Sequence, residues 1–323
     1  MKIFFLQFLL ITSAIFAQEN QSESTTGLAS FLKRGFSARW VGMGGAPVAL
    51  VQDASSIYWN PAGLINEKNF QMNLSYAEDW VFSDLAFNQA AISYSFKKLG
   101  LGIGYLDASV DGIELYDDKA NYEGSAQYSE SIILGGIALS LGDLKLGFSH
   151  INYRVNNLGY SQSTTLNPKK DFIILGLQYY IFKGLNVGVS VRNKAELLPN
   201  EYLESERKIG ISYTHNRANS DVNLFNAGLD FNKLEYGGLL SSGLEFFPLK
   251  ELAFRMGISN VKIMGLSEDK MLDYRQKLSF GMGYTFKERI RLSLSITQHL
   301  YPSLNQSWKD PFSRNILIGL SFD

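Results

Sequence analysis

From Asn69 to the C-terminus the chain repeats strand-length runs in which every second residue is apolar. In the last run Ile316, Ile318, Leu320 and Phe322 fall on one face and Asn315, Leu317, Gly319 and Ser321 on the other, because strand side chains alternate with a period of two. Such runs meet at tight turns at Lys97-Lys98, Gly142-Asp143, Lys183-Gly184, residues 248–251 and Lys287-Glu288, with a looser turn over residues 216–221. The intervening connections, residues 78–84, 110–126, 156–170, 195–204, 232–236, 261–274 and 300–312, are polar and mostly longer. Short turns alternating with long loops give one trimmed rim and one elaborated rim, the grammar of a transmembrane antiparallel β-barrel of about 14 strands with both termini at the trimmed, periplasmic rim.

Periodicity does not say which face is outside; size does. A barrel of about 14 strands is too wide for side chains to fill, whereas roughly eight strands give an interior that just packs. The less apolar face therefore belongs in a polar or mixed lumen. It carries Gly100, Gly102, Gly104, Lys145, Gly147, Ser149, Asn186, Gly188, Ser190, Arg192, Glu245, Arg255, Ser279, Gly281, Arg291, Ser293 and Ser295. Glu245 and Arg255, flanking the Pro248 turn, are placed to pair on adjacent strands. Aromatic residues gather beside the short turns, at Tyr94, Phe96, Phe182, Phe246, Phe247, Tyr284, Phe286 and Phe322, as an interfacial girdle would. The competing reading is core packing in a soluble β-sandwich, which fits poorly with a second face rich in Gly and Ser and a chain without disulfides.

Composition adjusts this picture in three places. Aromatics are 13% and charged residues 19% of the 323 residues, suiting an outer surface that meets lipid. A net charge of -1 with no Lys/Arg cluster excludes a nucleic-acid partner. The absence of Cys removes a lipid-anchored lipoprotein, a disulfide scaffold, a thiolate nucleophile and Cys-ligated metal. At the start, Lys2, an apolar run over residues 3–16, small Ala17 and polar Gln18 read as a cleaved signal peptide at 1–17. A membrane anchor is the alternative, but the run falls short of the ~20 residues a spanning helix needs.

Residues 18–68 break the rhythm, and the expected division is signal peptide 1–17, hatch or plug 18–68, barrel 69–323. Gly42, Gly44 and Gly45 let the backbone bend or approach a surface closely. Asn60-Pro61 is a turn signal, and residues 54–58 read as a short helix capped by Asp53. A nucleotide site is disfavoured, since the cluster lacks the Lys-Ser/Thr of a phosphate loop and a strand-helix-strand setting. A plug folded inside the lumen accounts for the segment better.

The phrase over residues 38–64, with Gly-Met-Gly-Gly at 42–45, Asp-Ala-Ser-Ser at 53–56 and Asn60-Pro61-Ala62, resembles the N-terminal hatch of the FadL-type outer-membrane transporters, and more closely their PorV/PorQ-like branch. The resemblance covers the hatch by motif and the rest by architecture. It implies a hatch plugging a fourteen-stranded barrel in a Gram-negative outer membrane, and passive uptake of long-chain fatty acids or other hydrophobic molecules with exit through a gap in the wall. The PorV branch implies a second role, docking or shuttling exported proteins in type IX secretion. Asp323 after Phe322 departs from the usual barrel terminus.

On the residues themselves, Gly42, Gly44, Gly45, Asp53, Asn60, Pro61 and Ala62 are the candidates for hatch geometry and gating, and Gly102 and Gly104 for a weak point in the wall, since glycine weakens a strand and leaves space. No catalytic site, metal site or cofactor is expected, and the chain is not read as an enzyme. His150, His215 and His299 are read as interfacial, and Asp117-Asp118 lacks the spaced ligands of a calcium loop. The partners expected are membrane lipids and a hydrophobic small molecule, with the protein a monomer. In the secretion reading the partner is secretion machinery gripped by long loops bearing Tyr116, Tyr122 and Tyr160.

Overall fold

The computed structural model describes residues 30–66, 69–79, 85–156, 169–198, 201–217, 222–234, 237–264, 276–300 and 314–322. The expected leader at 1–17, Tyr160 and most of the connections at 156–170, 261–274 and 300–312 lie outside the described residues. Sixteen strands follow one another: β1 (Phe70–Asp79), β2 (Leu85–Phe96), β3 (Leu99–Tyr116), β4 (Tyr122–Leu141), β5 (Leu144–Asn156), β6 (Lys169–Phe182), β7 (Leu185–Arg192), β8 (Ala195–Leu198), β9 (Glu201–Leu203), β10 (Glu206–Asn216), β11 (Asn223–Leu234), β12 (Gly237–Phe246), β13 (Leu252–Met264), β14 (Lys277–Phe286), β15 (Ile290–His299) and β16 (Arg314–Phe322).

All but β8 and β9 join one closed antiparallel barrel of 14 strands, in which β1 pairs with β16 from Met72 opposite Phe322 to Asp79 opposite Asn315. Closure pairs each barrel strand on both sides within the wall. The tight turns take the backbone that a twisted hairpin requires; at Lys287 and Glu288 both φ values are positive, 48° and 61°.

The two faces separate as the alternation demands. On β3, Leu101, Ile103 and Tyr105 point out, Ile103 being 70% exposed, while Gly102, Gly104 and Leu106 point in. Exposed Phe254, Met256, Phe280, Met282, Leu292 and Ile318 continue the apolar outer band on β13 to β16. An apolar surface this extensive costs free energy in water and none in a bilayer.

Two connections depart from the sequence reading. Residues 110–126, expected as a loop, are mostly strand: β3 and β4 run on past their neighbours as a two-stranded ribbon, with a register shift between Val110 and Ile113 and a turn at residues 117–121. The Asp117 carboxylate accepts from Lys119 N, Asn121 N and Asn121 Nδ2, so its role is to hold that turn. Residues 195–204, also expected as loop, contain the β8–β9 hairpin. Its Leu197 and Leu203 are buried in one apolar cluster with inward-facing Leu106, Ile132, Tyr153 and Phe172.

Residues 30–66 contain two short helices, α1 (Ala38–Gly42) and α2 (Ser56–Trp59), and 3-10 turns at Ser30–Arg34 and Pro61–Leu64. The helix expected over 54–58 thus begins at Ser56, and Ser55 rather than Asp53 occupies the capping position. Asp53 shapes the approach instead, accepting from Ser55 N at 2.9 Å. The segment's contacts are with inward-facing residues of the barrel strands.

Candidate functional site

The inner wall receives residues 37–66 along a belt of glycines. A Cβ on Gly319 of β16 would meet Ala38 at 3.0 Å, on Gly281 of β14 the Cα of Gly42 at 3.3 Å, and on Gly228 of β11 the carbonyl oxygen of Ala46 at 2.5 Å. One on Gly243 or Gly257 would overlap the backbone at Met43 and Gly44, on Gly188 that at Val48, and on Gly147 that at Pro61 and Ala62. On Gly100 of β3 it would lie 2.6 Å from the carbonyl oxygen of Leu64. Glycine in a strand marks close approach of another backbone, and here the approach recurs on most strands from β3 to β14 and on β16.

Polar side chains on the same wall complete the seat. Glu245, fully buried, accepts from Arg39 Nε and Nη2 (3.0 and 2.6 Å), from Arg255 Nε (2.8 Å) and from Asn226 Nδ2 (2.8 Å). The expected Glu245–Arg255 pair is in register across the turn. Arg39, which sequence reasoning passed over, is the third member; a charged residue inside an otherwise apolar run was the available signal. Asp230 accepts from Val48 N at 2.9 Å, Gln178 Nε2 donates to the carbonyls of Val48 and Val51 (3.2 and 3.0 Å), and Lys145 Nζ donates to that of Ile65 (2.8 Å).

The residues singled out from sequence fall on this seat. Gly42 lies against Gly281 and Ser295, and Gly44, with φ of 67°, is pressed against Ser242 and Ile258; Gly45 also has positive φ, 64°. Asp53 accepts from Trp40 Nε1 (2.9 Å) and lies 3.9 Å from Arg39 Nη1. Asn60 Nδ2 donates to the carbonyls of Val48 (2.7 Å) and Leu177 (3.0 Å), while Asn60 Oδ1 accepts from Ala62 N. Pro61 opens the following 3-10 turn, where its missing N–H costs nothing.

Gly102 and Gly104 have a different use from a gap. Both are paired on both sides, Gly102 with Ser93 and Gly136 and Gly104 with Ala91 and Leu134, so the wall is closed through them. The space they leave is filled by Leu64 and Ile57.

Beside the seat lies a cavity of about 100 Å³. The segment supplies Leu32, Lys33, Arg34, Tyr58 and Trp59 to it, and the wall supplies Phe87, Glu206, Lys208, Asp230, Lys277, Ser279, Thr297 and Leu317. Its apolar surface comes from Leu32, Trp59, Phe87 and Leu317. Its polar surface is dominated by cations: Arg34 lies over the Phe87 ring at 4.1 Å, Lys208 pairs with Glu206 at 3.2 Å and faces Trp59 at 5.4 Å, and Lys277 Nζ reaches the Lys33 carbonyl at 3.5 Å. Glu206 is further paired with Arg192 at 3.2 Å. The buried Asp230 Oδ1 and the Asn232 Oδ1 take no hydrogen bond from the described protein. Tyr58, whose hydroxyl donates to the Leu32 carbonyl, is so buried that its phenol is pushed well above its ordinary range. Such a surface admits a body with one apolar and one polar end.

Lys277 was legible in principle, because it shares its face with Ser279 and Gly281, already assigned to the lumen. Glu206 shares its face with Lys208, Gly210 and Ser212 by the same alternation, whereas Arg34, ahead of the barrel, carries no comparable signal. His150 points outward and meets Asp171 at 3.2 Å, both more than half exposed, and His215 stacks on Phe225 near the trimmed rim; neither borders the cavity.

No family model matches the sequence, and no curated protein matches it significantly. Among solved structures the chain is similar to the P. putida toluene transporter TodX, with a TM-score of 0.65 at 13% identity, covering 90% of this chain and 99% of that one. It is similar to the Ralstonia pickettii toluene transporter TbuX, with a TM-score of 0.60 at 13% identity over 90% and 98% of the two chains. A Pseudomonas aeruginosa FadL homologue aligns with a TM-score of 0.51 at 11% identity over 89% and 97%. At these identities the likeness is one of fold, that of outer-membrane transporter barrels; nothing in these comparisons singles out a PorV/PorQ branch.

Proposed function

We propose that this chain is an outer-membrane channel for hydrophobic compounds, long-chain fatty acids or small hydrocarbons among them, in which residues 30–66 act as the hatch. The observation that carries the reading is the cavity: a partly open space, apolar on one side and charged, mostly cationic, on the other, held between the segment and the wall of a barrel whose outside is apolar. The toluene transporters and the FadL homologue supply the chemical class of cargo by analogy of fold.

In this reading the seat formed by Gly42, Gly44, Gly45, Asp53, Asn60, Pro61 and Ala62 fixes the hatch. Gating belongs to the stretch ahead of it, where Leu32, Lys33, Arg34 and Gly35 border the cavity. Arg34 and Lys277 favour cargo with an acidic head over a bare hydrocarbon. Proteoliposomes loaded with a fatty-acid-binding dye test the proposal. The wild-type protein raises uptake of a long-chain fatty acid above protein-free vesicles, and Phe87→Asp lowers it; equal uptake with and without protein would refute it.

A second reading, docking of exported proteins as in type IX secretion, has one observation in its favour. The β3–β4 ribbon extends beyond the described pairing of β3 with β2 and of β4 with β5, and carries exposed Tyr116 and Tyr122, their rings edge-to-face at 5.8 Å. Recovery of one defined secretion component from solubilised membranes, lost on Tyr116→Ser plus Tyr122→Ser, would favour it over transport alone.

A further inference from the structure

We infer that residues 37–66 have a task besides closing the lumen: they template the assembly of the wall that encloses them. The first ground is the path of the chain. Ser37 N donates to Gln89 of β2, Ala38 lies against β16, Gly42 against β14, Met43 against β12 and β13, Ala46 against β11, Val48 against β10 and β7, Asn60 against β6, Ala62 against β5 and Leu64 against β3 and β4. Asn66 then donates to Gln71 of β1. Apart from the helix α2, whose Ile57 reaches ahead to β3 and β4, the segment makes one circuit of the barrel and visits the strands in descending order.

The second ground is what the belt lacks. Gly102 stands opposite Gly136, Gly147 opposite Gly176, Gly188 opposite Gly210, and Gly243 between Gly228 and Gly257. Cross-strand side-chain pairs are the unit of sheet stabilisation, and here one tier lacks them between β3 and β4, β5 and β6, β7 and β10, and from β11 to β13, with serines such as Ser93, Ser149, Ser190 and Ser279 at the joins. The pairing of bare strands at this level is weak until the segment's backbone lies against them.

The third ground is the closing seam. The pairing of β1 with β16 joins residues such as Asn73 and Ser321, 248 positions apart, and contacts of such separation form late because loop entropy is lost before they repay it. Asn73 Nδ2 donates both to Ser321 Oγ of β16 (3.1 Å) and to Ser37 Oγ (3.0 Å), and Ala38 sits beneath Gly319. The start of the circuit therefore touches both sides of the seam. A segment already holding β16 and β1 shortens the search that closes the cylinder.

The test is refolding of the full chain from urea into phosphatidylcholine vesicles, followed by the gel-mobility difference between heated and unheated samples. Gly147→Val and Gly243→Val raise strand propensity but drive a side chain into the segment. A template predicts that both slow barrel formation roughly tenfold, the change expected when the affected contacts are already present in the transition state. Gly135→Val, at an outward-facing position with nothing within 4 Å, folds at the wild-type rate. Asn60→Ala, a milder change, lowers the folding rate in proportion to the stability it removes. Wild-type or faster folding of the two belt variants, with residues 30–66 open to protease, would overturn the inference. So would an Asn60→Ala effect confined to the unfolding rate, which marks a plug that docks after closure.

Discussion

Away from the glycine belt, the lumen has two unlike sides. On β3 to β6 the inward residues Leu106, Ile132, Leu134, Ile151, Tyr153 and Phe172 are fully buried and pack with Leu197 and Leu203 of the β8–β9 hairpin. The buried Glu130 on that side is tied down by Tyr128 and Tyr153 hydroxyls. On β10 to β16 the residues bordering the cavity are mostly polar, among them Glu206, Lys208, Asp230, Asn232, Lys277, Ser279 and Thr297, with Leu317 as an apolar member. Apolar side chains collapse on one another and leave no room, whereas charged ones keep their distance and hold a space open. The same alternating wall thus yields a packed side and an open side.

Substitutions can break that contrast. The largest effect is expected where the open side meets the seat: Glu245→Ala strands Arg39 and Arg255 in a buried site and lowers stability by about 3–5 kcal/mol, read from the urea midpoint in vesicles. On the packed side Phe172→Ala leaves a cavity and costs about 3–5 kcal/mol, whereas Ile132→Val costs about 0.5–1.5. Ser279→Ala, beside the cavity, leaves no large void and removes one hydrogen bond, to Thr297 Oγ1, at a cost of about 0.5–1.5 kcal/mol. If Ser279→Ala cost as much as Phe172→Ala, the two sides would not differ in packing. Lys277→Met sharpens the comparison further: stability stays within about 1 kcal/mol of wild type, while the preference of proteoliposome uptake for a fatty acid over an uncharged hydrocarbon declines.

Much of this was legible in the sequence because alternation is a local signal. The final strand, the tight turns and the Glu245–Arg255 pair follow from counting by twos and from turn chemistry. The β3–β4 ribbon was missed for a physical reason: beyond Val110 both faces are wet, so Asp111, Gly112 and Glu114 read as loop although they lie in strands, with Gly112 at φ of 71°. The β8–β9 strands are four and three residues long, too short to show a period. Gly102 and Gly104 show the deeper limit. A sequence displays the missing side chain but not what fills the space, and here Leu64 and Ile57 turn a presumed weakness into a contact. The cavity depends on how Leu32 to Gly35 lie against strands far along the chain, and no local pattern encodes that.

The central claim, that residues 30–66 lie inside the barrel against its closing seam, is open to one direct measurement. The chain has no cysteine, so Ser37→Cys with Asn73→Cys introduces a single pair where the wild-type side chains meet at 3.0 Å. In folded, vesicle-inserted protein the account predicts that mild oxidation links peptides containing residues 37 and 73, as seen by mass spectrometry. Two unlinked cysteines, both modified by a membrane-impermeant maleimide at the rate of an exposed loop residue, would contradict it.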